Sequence, residues 1–560
     1  MDTNSGDICM NMIDITKNVL FIVPRRTFRQ EYLYYVKGND HKKQTDIVAS
    51  ASSNPVVPYG VLSIATYIKT YSKHSIDVRI VDFNVEKYTI TQTDDIITNI
   101  LKTFKPNIVG ISALFSPTYD SIEYYCSIVK NYNPAIITVA GGACATNEYM
   151  DLLEETPSLD AICYSEGEIP FLNLVNADNF YDILENDTSF ITKKSIAKGR
   201  KPNTSFIYNL DELPFIDYNL IDTNLYKHSM NNNTFKHENK VIEEPIYLPI
   251  HTTRGCPFNC VFCAAASVHG KRIRYMSDEY VIANIKNMIE KYGLTHLSIE
   301  DDQFLLKNKR AKKILKSILD IKEKINICTL LVTPSFIDDE IVALLKEAGV
   351  KEIALAMEHG SEYVLKEIID KPFSINDIKN AVTTIKKFDM AVVCALVIGL
   401  PGERDEDREE TVRLIKEMGV DWTTFSIATP FKGSRLYEIC IENGYVTKED
   451  MKNADLRHAI IKTKDLNPEY ITKKVYMMNL ELNFVHNYRM RIGDYKTAVL
   501  WFEKVIGSYP LQAFAHYYLS KAYEGMNERE ELIDKHMSKF NEIIASNNEW
   551  LQFAESFGLC

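Results

Sequence analysis

The sequence predicts an α/β protein in four parts. A doubly wound N-terminal domain spans 18–175, a linker 176–245, a partial (β/α)6 barrel of the TIM type 246–445, and an all-α region 446–560. Three observations carry this prediction. Strand-like and helix-like segments alternate in two separate series, and repeated βα units imply parallel sheets. Between the series the chain turns polar and rich in Asn and Lys, as loops are. After 445 the apolar residues recur only at helical spacing. A chain of 560 residues is also too long for one hydrophobic core.

The first series opens with "NVLFIV", a buried-strand run. "PYGVLSIATYIKTYS" reads as an amphipathic helix and "DVRIVDFN" as a strand ending at Asp82. "PNIVGISALFS", the helix "SIEYYCSIVKNY", "AIITVAGG" and "AICYSEGE" complete the sheet. Ligands of such sheets bind beyond the carboxyl ends of the strands, which here carry Ser112, Gly141, Gly142 and Gly167. The linker contains "NADNFYDILENDTSF", "KGRKPNTSF" and "MNNNTFKHENK". The second series has the strands "IYLPIHTTRG", "THLSIEDD", "INICTLLVTP", "EIALAMEHG", "AVVCALVIGLPGE" and "WTTFSIATPF". Helices such as "DEYVIANIKNMIEKYG" and "FIDDEIVALLKEAG" separate them, and a glycine closes each of these two. Barrel chemistry belongs at the carboxyl ends of the strands.

Composition narrows the class. A hydrophobic fraction of 46% and a charged fraction of 25% are those of a soluble globular protein. A net charge of −12 argues against nucleic-acid and anionic-membrane partners. The longest apolar run, "MAVVCALVIGL", is about half of what a membrane-spanning helix needs. The opening "MDTNSGDICMNMIDITKN" has no basic region followed by an apolar one, so a cytoplasmic location is expected. Eleven cysteines, mostly scattered, do not form a disulfide framework.

One cysteine group stands apart. "TTRGCPFNCVFCAAAS" sets Cys256, Cys260 and Cys263 in the spacing C-x3-C-x2-C. A closed zinc site has four ligands, and no second pair stands at suitable spacing. His269 lies alone in a Gly-Lys-Arg context and reads as a loop residue. Three thiolates suit a [4Fe-4S] cluster with one iron left open to a cofactor or substrate. A zinc loop is the alternative.

The cysteine spacing, with Phe262 before the last cysteine, resembles the signature of the radical SAM superfamily. That resemblance implies an open iron that chelates S-adenosyl-L-methionine and, on reduction, generates a 5′-deoxyadenosyl radical. It also implies roles for the strand ends. In "IEDDQF", Asp301 or Asp302 would pair with the cofactor's ammonium, and Asp302 is the favoured one. Glu358 of "AMEHG" would lie near the ribose, and Gly399 of "VIGLPGE" would let backbone approach the adenosyl group. "ATPFKGSRLY" is similar to the family's P-x-x-G-T ending, with Ser434 in place of threonine. Helix caps are the ordinary alternative for such polar residues.

"PYGVLSIATYI", "NIVGISALFSPTYDS", "AGGACAT" and "SEGEIPF" resemble the cobalamin-binding domain that precedes the barrel in one radical SAM subgroup. The resemblance implies cobalamin at Ser112, Gly141 and Gly142. The D-x-H-x-x-G hexapeptide that supplies an imidazole to cobalt is missing, and "NDHKKQT" at 39–45 does not fit it. "LDELPFIDYNLID" is similar to the family's L-D-x-L-P connector. In the last region Gly493, Tyr495, Ala498, Phe502, Pro510, Leu519 and Tyr523 resemble tetratricopeptide-repeat positions. These helices are expected either to cap the barrel or to dock a protein partner.

The resemblance implies a methyltransferase of class B type, methylating an unactivated carbon of a small-molecule or peptide substrate through methylcobalamin. A flavodoxin or ferredoxin would supply the electron. Radical cyclisation or rearrangement, methylthiotransferase-like chemistry without cobalamin, and an adaptor with a vestigial barrel are the alternatives.

Overall fold

The computed structural model describes residues 16–25, 55–86, 88–114, 118–226, 245–452, 454 and 456–560. The stretches 39–45 and 230–240 discussed above lie outside the described residues. The chain divides into two compact units. One takes in the first strand, 58–207 and 212–221; the other holds 222–560.

The first unit is built on a six-stranded sheet in the order β2-β1-β3-β4-β5-β6. These strands are β1 (Lys17–Val23), β2 (Ile76–Asp82), β3 (Ile108–Ser112), β4 (Ile137–Gly141), β5 (Ala161–Cys163) and β6 (Phe190–Ile191). The first five run parallel, and β6 pairs antiparallel with β5. Side chains alternate across a strand, so both faces of a fully covered parallel sheet are apolar. Leu20, Ile22, Val109, Ile111 and Ala140 pack with helices Ile90–Phe104 and Tyr119–Tyr132 on one face. Val19, Phe21, Ile108, Ile137 and Val139 pack with helices Tyr59–Tyr71 and Glu168–Asn176 on the other.

The expected linker over 176–245 needs correction in its first part. It contains helix Phe180–Asn186, strand β6 and helix Lys193–Ala197, all in the first unit. Leu184, Phe190 and Ile191 there are buried in the sheet's two cores. These elements are too short to show a period, and their polar flanks read as loop.

The second unit holds two parallel sheets, in the orders β11-β10-β7 and β12-β13-β14-β15. Their strands are β7 (Tyr247–Ile250), β10 (His296–Ile299), β11 (Asn326–Ile327), β12 (Leu331–Val332), β13 (Glu352–Glu358), β14 (Ala391–Ile398) and β15 (Trp422–Ile427). "INICTLLVTP", expected as one strand, is split into β11 and β12. Its backbone changes neighbour midway: Cys328 N–H donates to Leu297 O at 2.9 Å, whereas Leu330 O accepts from Ala354 N–H at 3.0 Å. A two-stranded antiparallel ribbon, β8 (Thr253–Arg254) with β9 (Arg274–Tyr275), brackets the cysteine loop.

Helices fill 468–556, apart from short turns, and belong to this same unit. Ala498, Phe502, Leu519 and Tyr523, singled out as repeat positions, are core residues. At the edge strand β15, Asn483 replaces a neighbouring strand. Its side-chain oxygen accepts from Thr423 N–H at 2.8 Å, and its amide donates to Thr423 O at 2.9 Å. A π-turn over Glu481–Val485 sets this position. At the start of the same strand, the Trp422 and Trp501 rings stack 5.1 Å apart and pack on Ala391 and Val393.

Candidate active site

The cysteine loop follows β7 and is anchored from several sides. Val261, between the last two cysteines, is buried. Its N–H donates to Ile369 O at 3.0 Å, and its carbonyl accepts from Leu436 N–H at 2.8 Å. Gly255 has φ +93, and a Cβ there would stand 2.8 Å from Arg272 O, so only glycine lets the loop close on 269–272. His269, expected in a loop, ends the short helix Ala265–His269.

Cys256 and Cys260 are half-buried and Cys263 is exposed, whereas Cys126, Cys144, Cys163, Cys328, Cys394 and Cys440 are buried. The three loop thiols therefore stand out by spacing, and by access from every other described cysteine except the exposed Cys560. Burial pushes the Cys256 thiol up to about 11, and the Asp302 carboxylate and the other two thiols act in the same direction. The thiols are thus close enough to act on one another. Yet among the described residues no three His, Cys, Asp or Glu side chains converge tightly enough for a single metal ion. Three soft thiolates suit an iron–sulfur cluster with one iron left open.

The acidic run after β10 separates into distinct roles. Asp301 turns to the loop's base: Oδ1 accepts from Thr253 N–H at 3.0 Å, and both oxygens bond Thr252. Burial pushes the Asp301 carboxyl up to about 6 against these donors. Arg310 reinforces the clasp, donating to Thr252 O at 3.3 Å and Met276 O at 2.9 Å. Asp302 is exposed and acts electrostatically on Cys256 and Cys263. Glu300 instead accepts from Ser298 Oγ.

Glu358 ends β13 at φ +63, next to a register shift against β14. A non-glycine residue in the left-handed region, held by a bulge, marks a re-aimed side chain. Its Oε1 lies 2.8 Å from Lys371 Nζ. Lys371 was not anticipated. It is 8% exposed, and its charge acts on the Cys260 and Cys263 thiols. Burial works against its charge, but the Glu358 carboxylate and the Cys260 sulfur together outweigh burial and raise its pKa.

Behind these residues lies a second unanticipated group. Glu403 Oε2 accepts from Gly399 N–H at 2.6 Å and Leu400 N–H at 2.9 Å, fixing the turn after β14. Its Oε1 accepts from Arg408 at 2.9 Å. His359 Nδ1 accepts from Ser361 N–H at 3.1 Å, so its proton sits on Nε2, 3.7 Å from Glu403 Oε1. This buried set ties the ends of β13 and β14 together. Gly399 itself has φ +91. Ser434 caps helix Arg435–Glu442, accepting from Tyr437 N–H at 3.2 Å.

In the first unit, Ser112 ends β3, Gly141 ends β4, and Gly142 follows at φ +104. A Cβ on Gly142 would stand 2.6 Å from Ala113 O, so glycine is required where the two strand ends meet. His74 is the single histidine among this unit's described residues, and it precedes β2, at the other end of the sheet. Among the described residues of this unit, no histidine stands at the carboxyl ends of the strands.

Comparison with known proteins decides the family. The model described as Radical SAM superfamily matches residues 250–415, and that described as B12 binding domain matches 45–175. The chain is 30% identical over 417 residues to the uncharacterized methyltransferase PH0819 of Pyrococcus horikoshii, covering 74% of this chain and 85% of that protein. The chain belongs to the radical SAM superfamily. Within it, the chain falls among the members with a B12-binding domain. It is also 25% identical over 439 residues to cytidylyl-2-hydroxyethylphosphonate methyltransferase of Streptomyces wedmorensis, covering 70% of this chain and 79% of that enzyme. Its fold is similar to that of the cobalamin-dependent S-adenosylmethionine radical enzyme OxsB, with TM-score 0.61 and 13% identity over 97% of this chain and 80% of that one. A radical SAM enzyme of this kind uses a [4Fe-4S] cluster, S-adenosyl-L-methionine and cobalamin. Among the described residues, no helix is long and apolar enough to cross a membrane.

Proposed function

We propose that the protein is a cobalamin-dependent C-methyltransferase acting on an unactivated carbon of a small molecule or peptide. The observation that carries this reading is an accessible cysteine triad held at strand carboxyl ends in a chain that also has a B12-binding domain. The two methyltransferases reported above support it. When bound, the three cofactors supply a 5′-deoxyadenosyl radical and a methyl donor.

The chain's residues bind and orient those groups. Cys256, Cys260 and Cys263 hold the iron. The exposed Asp302 carboxylate pairs with the ammonium of S-adenosyl-L-methionine, while Asp301 holds the loop. Glu358 and the backbone at Gly399 receive the adenosyl group, and Phe262 forms part of the wall. Ser112, Gly141 and Gly142 receive cobalamin without a protein imidazole on cobalt. We read β7 to β15 as a partial barrel, with the C-terminal helices as its brace. A low-potential flavodoxin or ferredoxin delivers the electron.

Anaerobic reconstitution with iron, sulfide and hydroxocobalamin tests the reading. The parent should take up a [4Fe-4S] cluster and cobalamin, and should release 5′-deoxyadenosine on reduction with S-adenosyl-L-methionine present. Replacing any one of the three cysteines by Ala should abolish that release. Stoichiometric zinc without iron would overturn the reading. Nitrogen superhyperfine splitting in the Co(II) spectrum would contradict the missing imidazole.

A further inference from the structure

Lys371 is placed with unusual care for a lysine. It follows a π-turn over Val364–Ile369 and Asp370 at φ +67, and its N–H donates to Leu365 O at 2.9 Å. The Ile369 carbonyl just before it accepts from Val261 N–H, so lysine and cysteine loop are fixed to one another. The ammonium is buried between the rings of Phe262 and Phe373, at 5.8 and 5.7 Å from their centroids. Its ion-pair partner is one carboxylate, Glu358, and its charge reaches the sulfurs of Cys260 and Cys263. Asp302 acts on Cys256 and Cys263, whereas Lys371 acts on Cys260 and Cys263, so the three sulfurs stand in unequal fields.

We infer that Lys371 is a positioning residue that sets the reduction potential of the cluster, acting on the cysteine loop it is packed against, with Glu358 moderating its charge. This rests on the reading that the three cysteines hold a [4Fe-4S] cluster. Reduction adds one electron, from a one-electron donor, and so one negative charge to the cluster. Cluster potentials respond to net charge and to hydrogen bonds on the sulfurs. A buried cation beside the cluster's sulfurs favours the reduced form. A carboxylate sharing that cation weakens the effect, so the two residues act with opposite sign.

The test is a redox titration followed by electron paramagnetic resonance. It uses the full-length protein reconstituted anaerobically, without S-adenosyl-L-methionine. Lys371→Gln should lower the equilibrium constant for reduction about tenfold or more, about 59 mV to the negative for a one-electron couple. Lys371→Arg should restore most of it. Glu358→Gln should move the potential to the positive. An unmoved potential in Lys371→Gln with its cluster intact overturns the inference. If Lys371→Gln takes up no iron, Glu358→Gln decides alone, and a negative shift or none overturns the inference. A parent protein that takes up no iron and sulfide would instead refute the cluster reading itself.

Discussion

At the residue scale, Asp301 and Asp302 are neighbours with opposite surroundings, and their variants should separate. Asp302 is exposed in the free protein; once bound cofactor covers it, loss of one charge-assisted hydrogen bond costs about 1.5–3 kcal/mol. Asp302→Asn should therefore weaken binding of S-adenosyl-L-methionine by about ten- to a hundredfold while leaving the cluster's absorption unchanged. Asp301→Asn should behave differently, because Asp301 accepts from Thr252 and Thr253 at the base of the loop. It should lower iron retention first, as read by iron content after gel filtration. The cysteines and the acidic run were legible in the sequence because their spacing is local. Lys371 was not, because Glu358 and the cysteine loop it packs against come from other parts of the chain and no short motif announces it. Glu403 and His359 stood in plain view within "PGE" and "EHG", but only the fold turns them toward each other.

At the element scale, the C-terminal helices prove to be part of the body that carries the site. Asn483 satisfies both backbone groups of Thr423 on an edge strand that would otherwise expose them. Asn483→Leu should leave them unpaired and cost about 1–3 kcal/mol each. The check is a lower urea midpoint for unfolding of the 222–560 unit. A second device is the pair His516 and His536, buried on neighbouring helices with Nδ1 atoms 2.9 Å apart. His516 Nε2 faces Pro510 O and carries its proton there, so its Nδ1 accepts from His536. Burial, His516 and Lys535 together lower the His536 pKa to about 4. The unfolded histidine titrates near 6.5, so stability from this pair is complete above that pH. It falls progressively as pH drops from about 6.5 to about 4. Limited proteolysis within 513–546 should accelerate over that window in the parent and much less in His536→Gln. Helical periodicity made these elements legible, but the pairing of two histidines on separate helices has no period.

At the scale of the whole molecule, the two series of alternating strands and helices foretold the two units, because parallel sheets leave long apolar runs. The division at 176–245 was misplaced, since β6 and its flanking helices complete the first sheet. The split at Cys328–Leu330 was equally hidden: a strand that changes neighbours keeps one continuous apolar pattern. A chain stopped at 466 should test how far the second unit depends on its last helices. It should lose Trp501 from its stack and Asn483 from its edge, and bind a dye specific for exposed apolar surface.

The clasp of Asn483 on β15 also imposes an order in time. Synthesis proceeds from the N-terminus at roughly 5–20 residues per second, and Asn483 emerges long after Cys263. For tens of seconds the growing chain therefore carries three reactive thiols on a sheet whose last edge is still open. Iron delivered during that interval would meet a half-built cradle, and oxygen would meet unprotected sulfur. Maturation of this enzyme thus belongs after release from the ribosome, once the final helices have closed.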